Sequence, residues 1–163
     1  MKIKKLILVI LTGFLISSGT LAQEVKIYNP EADAKAEIAA AVKKAQAENK
    51  HVFLQIGGNW CPWCIKYHNF VDADPEIKKY VEENFVVVKV NYDQKVKNLD
   101  VLADLGYPQR FGFPVFVILD GNGNRIHTQN SAFLEEDKSY NRDKVLNFYK
   151  HWSPAALDPK SYM

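Results

Sequence analysis

The chain has 163 residues, of which 47% are hydrophobic, 12% aromatic and 25% charged, a composition typical of one globular domain with a sizeable core. It excludes a disordered chain, a collagen-like chain and a disulfide-dense miniprotein. Three of the 21 basic residues (Lys2, Lys4 and Lys5) lie in the first 22 residues, which hold no acidic residue, so the remainder has 18 basic against 19 acidic residues. That balance argues against binding to nucleic acid or to an anionic membrane surface.

Residues 1–22 follow the pattern of a secretory signal peptide. A basic start precedes an apolar run from Leu6 to Ile16 and then small polar residues before Ala22. The alternative is a retained membrane anchor, but the apolar run of 11 residues is well short of the roughly 20 that cross a bilayer. We therefore expect cleavage after Ala22 and a periplasmic or extracellular location.

The rest of the chain predicts strands alternating with helices until a final hairpin. The predicted elements are a strand at 24–28, a helix at 31–49, a strand at 51–56, a helix from the cysteines past 70, a second helix capped by Asp74, a strand at 85–90, a helix at 98–105, strands at 114–119 and 125–128 joined by a turn at 120–123, and a helix at 141–151. Residues 129–140 are expected to form a polar loop, and the tail an extended segment.

The order β-α-β-α-β-α-β-β-α predicts an α/β fold with a mixed central sheet flanked by helices. The strand at 51–56 lacks clean alternation, which is typical of a strand buried on both faces of a sheet. We expect one domain at residues 23–152, preceded by the signal peptide and followed by a C-terminal tail at 153–163.

The strongest motif is a C-x-x-C pair, Cys61 and Cys64, placed directly after a predicted buried strand and at the start of a helix. Unpaired amide groups and the helix dipole at a helix N-terminus stabilise the reactive thiolate. We expect Cys61 to face solvent there as the nucleophile, and Cys64, one turn further, to resolve a mixed disulfide. Pro62 suits the first turn, and Trp60 and Trp63 offer apolar contact to an incoming polypeptide.

The W-C-x-x-C at 60–64 and the Gly112-Phe113-Pro114 ahead of the strand at 114–119 resemble the thioredoxin family over roughly Glu24 to His151. The likeness is greatest to exported bacterial thioredoxin-like proteins. The resemblance implies a thioredoxin fold, catalytic roles for Cys61 and Cys64, and no dissociable cofactor. It also implies a cis Phe113–Pro114 bond whose backbone pairs with an extended substrate segment across from Cys61.

Two departures from the family pattern concern the chemistry. Thioredoxins carry a buried acid six residues before the first cysteine, where this chain has Gln55. An amide cannot act as a base, so the resolving step must use water or another group, for which Lys66 and His68 are the local candidates. Lys66 is more simply a surface residue, and His68 a surface or partly packed one. Pro62-Trp63 also replaces the usual Gly-Pro between the cysteines, so the direction of electron flow cannot be derived from the motif.

The sequence therefore predicts an exported thiol–disulfide oxidoreductase, with a reductase favoured over an oxidase or isomerase. Its partners would be thiols and disulfides of secreted proteins and a membrane redox donor or acceptor. The alternative is a non-catalytic module that holds copper or zinc through Cys61, Cys64 and His68, joined by His51 or His127. We expect no metal site, because the chain has no second C-x-x-C or C-x-x-H to complete four ligands. The oligomeric state is left open.

Overall fold

A computed structural model of the protein describes residues 26–163. The helices are α1 (Ala34–Glu48), α2 (Pro62–Ala73), α3 (Pro75–Asn84), α4 (Leu99–Asp104), α5 (Arg142–His151) and α6 (Pro154–Leu157). The strands are β1 (His51–Gly57), β2 (Phe85–Asn91), β3 (Val115–Leu119), β4 (Arg125–Asn130), β5 (Glu135–Glu136) and β6 (Ser139–Tyr140). The expected signal peptide lies outside the described residues.

The central sheet has four strands in the order β2-β1-β3-β4. β1 runs parallel to β2 and antiparallel to β3, and β4 returns antiparallel to β3. Every residue of β1 is buried, as expected for a strand that is covered on both faces. The mixed sheet flanked by helices confirms the predicted α/β fold.

Alternation along β1 separates the core into two layers. Val52, Leu54 and Ile56 pack in the layer with residues of α1 and α4. Phe53 packs in the other layer with residues of α2, α3 and α5. Gln55 lies two residues from Phe53 and is fully buried, so the layer below α2 contains a polar side chain.

The predicted break between α2 and α3 is confirmed at Asp74. Its carboxylate accepts hydrogen bonds from the amides of Glu76 at 3.0 Å and Ile77 at 3.1 Å, which caps α3, and Pro75 occupies the first position of that helix. The hairpin between β3 and β4 is also confirmed, with Gly123 in the left-handed region at φ 84°.

The strand predicted at 24–28 is wrong for residues 26–28, which form no strand, and Glu24 and Val25 lie outside the described residues. The Asn59 side chain takes the place of a neighbouring strand. Its Oδ1 accepts hydrogen bonds from the amides of Ile27 at 2.9 Å and Tyr28 at 3.0 Å, and its Nδ2 donates to the Tyr28 carbonyl at 2.8 Å. The described part of the sheet therefore begins with β1.

Two further predictions about loops are wrong. Residues 129–140 contain the end of β4, a 3₁₀ helix (Ser131–Leu134) and the short β5–β6 hairpin. The tail forms α6 and a 3₁₀ helix (Pro159–Tyr162) in place of an extended segment, because Ser153 and Asp158 cap helices that begin at the two prolines. Across residues 26–163, no helix combines the length and apolar character needed to cross a membrane.

Candidate active site

Cys61 and Cys64 lie at the N-terminus of α2 and are joined by a disulfide, with their Cα atoms 5.2 Å apart. Cys61 is the N-cap of the helix, and its Sγ accepts a hydrogen bond from the Cys64 amide at 3.3 Å. Pro62 occupies the first helical position. An amide and the helix dipole therefore point at the Cys61 sulfur and would stabilise a thiolate there.

The expectation that Cys61 faces solvent is wrong for this disulfide form. Cys61 is only 3% exposed and Cys64 is fully buried. The reason is that Ile27, Trp63 and Phe113 pack against the cluster that the two cysteines form with Tyr28. Cys61 is thus only slightly the more accessible of the two sulfurs.

Aromatic side chains surround Cys61. Trp60 is 55% exposed, and its Nε1 donates a hydrogen bond to the Tyr92 carbonyl at 2.7 Å. The Phe113 ring lies edge-on to Trp60 at 5.6 Å and 4.7 Å from the Tyr92 ring. The structure therefore brings Trp60 and Phe113 together beside the disulfide.

The Phe113–Pro114 peptide bond is cis. Pro114 is buried and directly precedes β3, in which Val115 pairs with Ile56 of β1. Pro114 therefore lies at the end of β1 from which the chain turns to the cysteines.

Trp63 faces the other side of the motif. Its ring meets Tyr140 edge-on at 5.4 Å, and the Lys66 ammonium lies 4.1 Å from its centroid. Lys66 Nζ also donates to the Lys138 carbonyl at 2.5 Å. Lys66 is therefore engaged at the surface, while Pro62 is exposed beside it.

One side chain in contact with Gln55 is that of Lys89, its register partner on β2. The Lys89 ammonium donates to Gln55 Oε1, and burial lowers the pKa of Lys89 to about 8. Gln55, Lys89 and His68 line a cavity of about 190 Å³ between the sheet, α2 and α3. Burial lowers the pKa of His68, and the nearby Lys89 charge lowers it further.

The Nε2 end of the Gln55 amide is directed at the C-x-x-C motif. Its Nε2 donates to the Cys64 carbonyl at 3.1 Å and to the Tyr28 hydroxyl at 2.9 Å. Tyr28 is 3% exposed, and burial raises the pKa of its hydroxyl. A side chain at Gly57 would collide with Cys64 Sγ and come within 3.0 Å of the Tyr28 oxygen. Cys64 Sγ and the Tyr28 oxygen therefore both lie next to Gly57.

The structure does not bring His51 and His127, which were considered as metal ligands from the sequence, together with the two cysteines. His51 Nδ1 lies 2.9 Å from the Trp152 carbonyl, and the His127 ring stacks on Trp152 at 4.1 Å. His51 begins β1 whereas the cysteines follow its other end, so the histidines lie apart from the sulfurs. Within residues 26–163, no group of three or more His, Cys, Asp or Glu is placed to hold a metal ion.

Three residues of the site were not found from sequence. Lys89 is the single charged residue in an apolar strand, and pairing that strand with β1 in register would have placed it on Gln55. Tyr28 and Asn59 reach the site through contacts between residues about 30 positions apart, which no local pattern indicates.

A surface groove of about 1100 Å³ runs beside Trp60. It is lined by residues 29–31, Trp60 and residues 92–97, which include both acidic and basic side chains. The groove therefore offers mixed polar and aromatic contacts next to the disulfide.

A family model described as thioredoxin-like matches residues 33–121, which include the cysteines and Pro114. The chain belongs to the thioredoxin-like family. This confirms the resemblance drawn from the W-C-x-x-C and Phe113-Pro114 motifs.

Two relatives with curated names match over part of their length. The disulfide bond reductase DsbH of Chlamydia pneumoniae is 27% identical over 97 residues, covering 54% of this chain and 57% of that protein. Spermatogenesis-associated protein 20 of Homo sapiens is 36% identical over 55 residues, covering 34% of this chain and 7% of that protein. The chain thus spans less than two thirds of the length of these relatives.

Solved structures share the thioredoxin fold. A disulphide isomerase from Xylella fastidiosa Temecula1 superposes with a TM-score of 0.69 at 21% identity, covering 77% of this chain and 95% of that one. The C-terminal domain of DsbD from Neisseria meningitidis, in the oxidised form, gives 0.53 at 21% identity, covering 74% and 97%. These similarities confirm the thioredoxin fold predicted from sequence.

Proposed function

We propose that this thioredoxin-like chain is a thiol–disulfide oxidoreductase in which Cys61 is the nucleophile and Cys64 the resolving cysteine. The observation that carries the proposal is the Cys61–Cys64 disulfide at the start of α2, with the Cys64 amide directed at Cys61 Sγ. Family membership and the match to a protein named a disulfide bond reductase support it. No dissociable cofactor enters the exchange.

In the reducing direction, the Cys61 thiolate attacks one sulfur of a client disulfide. The client S–S bond breaks, its other sulfur leaves as a thiolate and takes a proton from water, and a Cys61–client disulfide forms. The Cys64 thiolate then attacks Cys61 Sγ, which closes the Cys61–Cys64 disulfide and releases the second client sulfur. The client gains two electrons and the protein loses two.

The client would bind over the aromatic side chains around the motif. Trp60, Pro62 and Trp63 flank the sulfurs, and Phe113 packs against Trp60. The backbone at Pro114 would pair with an extended client segment, and the groove beside Trp60 provides room for its continuation. Because Phe113 and Trp63 cover the disulfide, the client must displace part of this aromatic cover to reach Cys61.

The proposed setting is the periplasm or extracellular space, supported by the signal-peptide pattern of residues 1–22. There the proposed reductase would need a membrane electron donor to restore its dithiol. Mass spectrometry of the protein from its own cells tests export: a chain beginning at Gln23 is expected, and one that retains Met1 would contradict cleavage.

Turnover tests the proposed activity. The dithiol form should reduce insulin disulfides at substoichiometric amounts with dithiothreitol as electron donor, and Cys61→Ser should abolish this. Ser161→Ala, which changes a hydroxyl in the C-terminal 3₁₀ helix, is the control that keeps full activity. Tight copper or zinc binding with no turnover would support the non-catalytic alternative, and a strongly oxidising potential against glutathione would favour an oxidase or isomerase.

A further inference from the structure

Hydrogen-bond directions around Gln55 follow from the chemistry of Lys89. An ammonium group only donates hydrogen bonds, so Lys89 fixes the carbonyl end of the Gln55 amide toward itself. The Nε2 end is then directed at Cys64 and Tyr28. The Tyr28 oxygen therefore accepts from Gln55, and its own proton must point elsewhere.

The Tyr28 proton has no acceptor among residues 26–163, although the hydroxyl is buried. The hydroxyl packs with the two cysteines in one cluster. Together with Cys64 Sγ it encloses the position where a Gly57 side chain would stand. Cys64 Sγ lies on the other side of that position and becomes a strong acceptor once the disulfide opens.

We propose that the Tyr28 hydroxyl donates a hydrogen bond to the Cys64 thiolate during the resolving step, held in that orientation by Gln55 and Lys89. This inference rests on the proposed function. Tyr28 would contact the reacting sulfur, whereas Gln55 and Lys89 act through it as positioning residues. A buried carboxylate in place of Gln55 would instead accept a hydrogen bond from the Tyr28 hydroxyl, so it is the Gln55 amide that leaves this hydroxyl free to donate to Cys64.

In the resolving step the Cys61–client disulfide bond breaks and the Cys61–Cys64 disulfide bond forms. Cys64 loses its thiol proton to water and becomes a thiolate that accepts the Tyr28 hydrogen bond. It then attacks Cys61 Sγ, the new S–S bond forms, and the client sulfur leaves as a thiolate that takes a proton from water. Tyr28 keeps its proton throughout, because burial raises its pKa.

Stopped-flow mixing of the reduced protein with dithiobis(nitrobenzoate) separates the reactions of the two cysteines in time. Release of the first coloured thiolate depends on reagent concentration and reports the attack by Cys61. Release of the second is independent of reagent concentration and reports the attack by Cys64 on the mixed disulfide. Tyr28→Phe removes only the hydroxyl and should slow the second phase about tenfold, since a hydrogen bond to a charged group is worth about one pKa unit or more.

The pH midpoint of the second phase should rise by about one unit in Tyr28→Phe, while the first phase stays unchanged. Lys89→Met should slow the second phase in the same way. Tyr149→Phe is the matched control, because it removes a buried hydroxyl that is hydrogen-bonded to Tyr67 rather than to Gln55. An unchanged second phase, or an equal change in both phases, would overturn the inference, whereas absence of the first phase in the unaltered protein would refute the proposed function itself.

Discussion

At the scale of single residues, Gln55 stands where thioredoxins carry a buried acid, and its side chain is paired with Lys89. Burying the Lys89 ammonium has a free-energy cost, which appears as its lowered pKa. The hydrogen bond to Gln55 Oε1 offsets part of that cost. The chain therefore retains a partly destabilising charge below the motif, which is consistent with a role in the chemistry of the site.

The lowered pKa of Lys89 predicts how stability depends on pH. The folded protein releases this proton near pH 8, whereas the unfolded chain holds it until its ordinary value of 10.5. Between these values the unfolded chain binds more protons, so the free energy of unfolding should rise with pH. From pH 8 to about pH 9.5 this rise should amount to about 1–2 kcal/mol in urea denaturation, and Lys89→Met should lack it.

His68, Asp72 and Lys78, which line the same cavity, are not expected to contribute to this rise between pH 8 and about pH 9.5. The pKa values of His68 and Asp72 are lowered from ordinary values below 7, and that of Lys78 is raised. Lys79→Met, which alters an exposed lysine, should keep the rise. Parallel stability curves for the unaltered protein and Lys89→Met would show that Lys89 does not carry this pH dependence.

At the scale of elements, the Asn59 side chain ties the backbone of the segment before α1 to the active-site turn. Asn59 makes three hydrogen bonds to the backbone of Ile27 and Tyr28. Asn59→Ala should lower the free energy of unfolding by about 1–3 kcal/mol, because three part-buried backbone groups lose their partner. Chemical denaturation measures this change. The control is Asn147→Ala at an exposed position on α5, whose free energy of unfolding should stay within about 0.5 kcal/mol of that of the unaltered protein. An equal, small effect of both changes would show that Asn59 does not attach the segment.

The elements that sequence predicted well carry their signals locally. Asp74-Pro75 ends α2 and begins α3 through a cap and a first-turn proline, and the apolar runs of β1, β2 and β3 have the length and residue types of buried strands. The strand at 24–28 failed because alternation is local whereas a strand needs a neighbour, and Asn59 supplied the hydrogen bonds instead. The extended tail failed because Ser153-Pro154 is itself a helix start.

At the scale of the whole molecule, the sheet brings the site together from distant parts of the chain. The cysteines follow the end of β1, and Pro114 directly precedes β3 beside it. β2 places Lys89 against Gln55. Sequence motifs predicted the cysteines and Pro114, since each carries a recognisable pattern. The Tyr28 and Lys89 contacts depend on tertiary packing and strand register, so only the structure shows them.

The most direct test of the account is which cysteine forms a mixed disulfide with a client. Oxidised insulin is incubated with each reduced single-cysteine variant, and the covalent adducts are counted by mass spectrometry without reducing agent. Cys64→Ser should accumulate an adduct through Cys61, whereas Cys61→Ser should form little, because the amide and helix dipole act on the Cys61 sulfur and Cys64 is fully buried. Equal adducts from both variants, or none from Cys64→Ser, would contradict the assignment of Cys61 as the nucleophile.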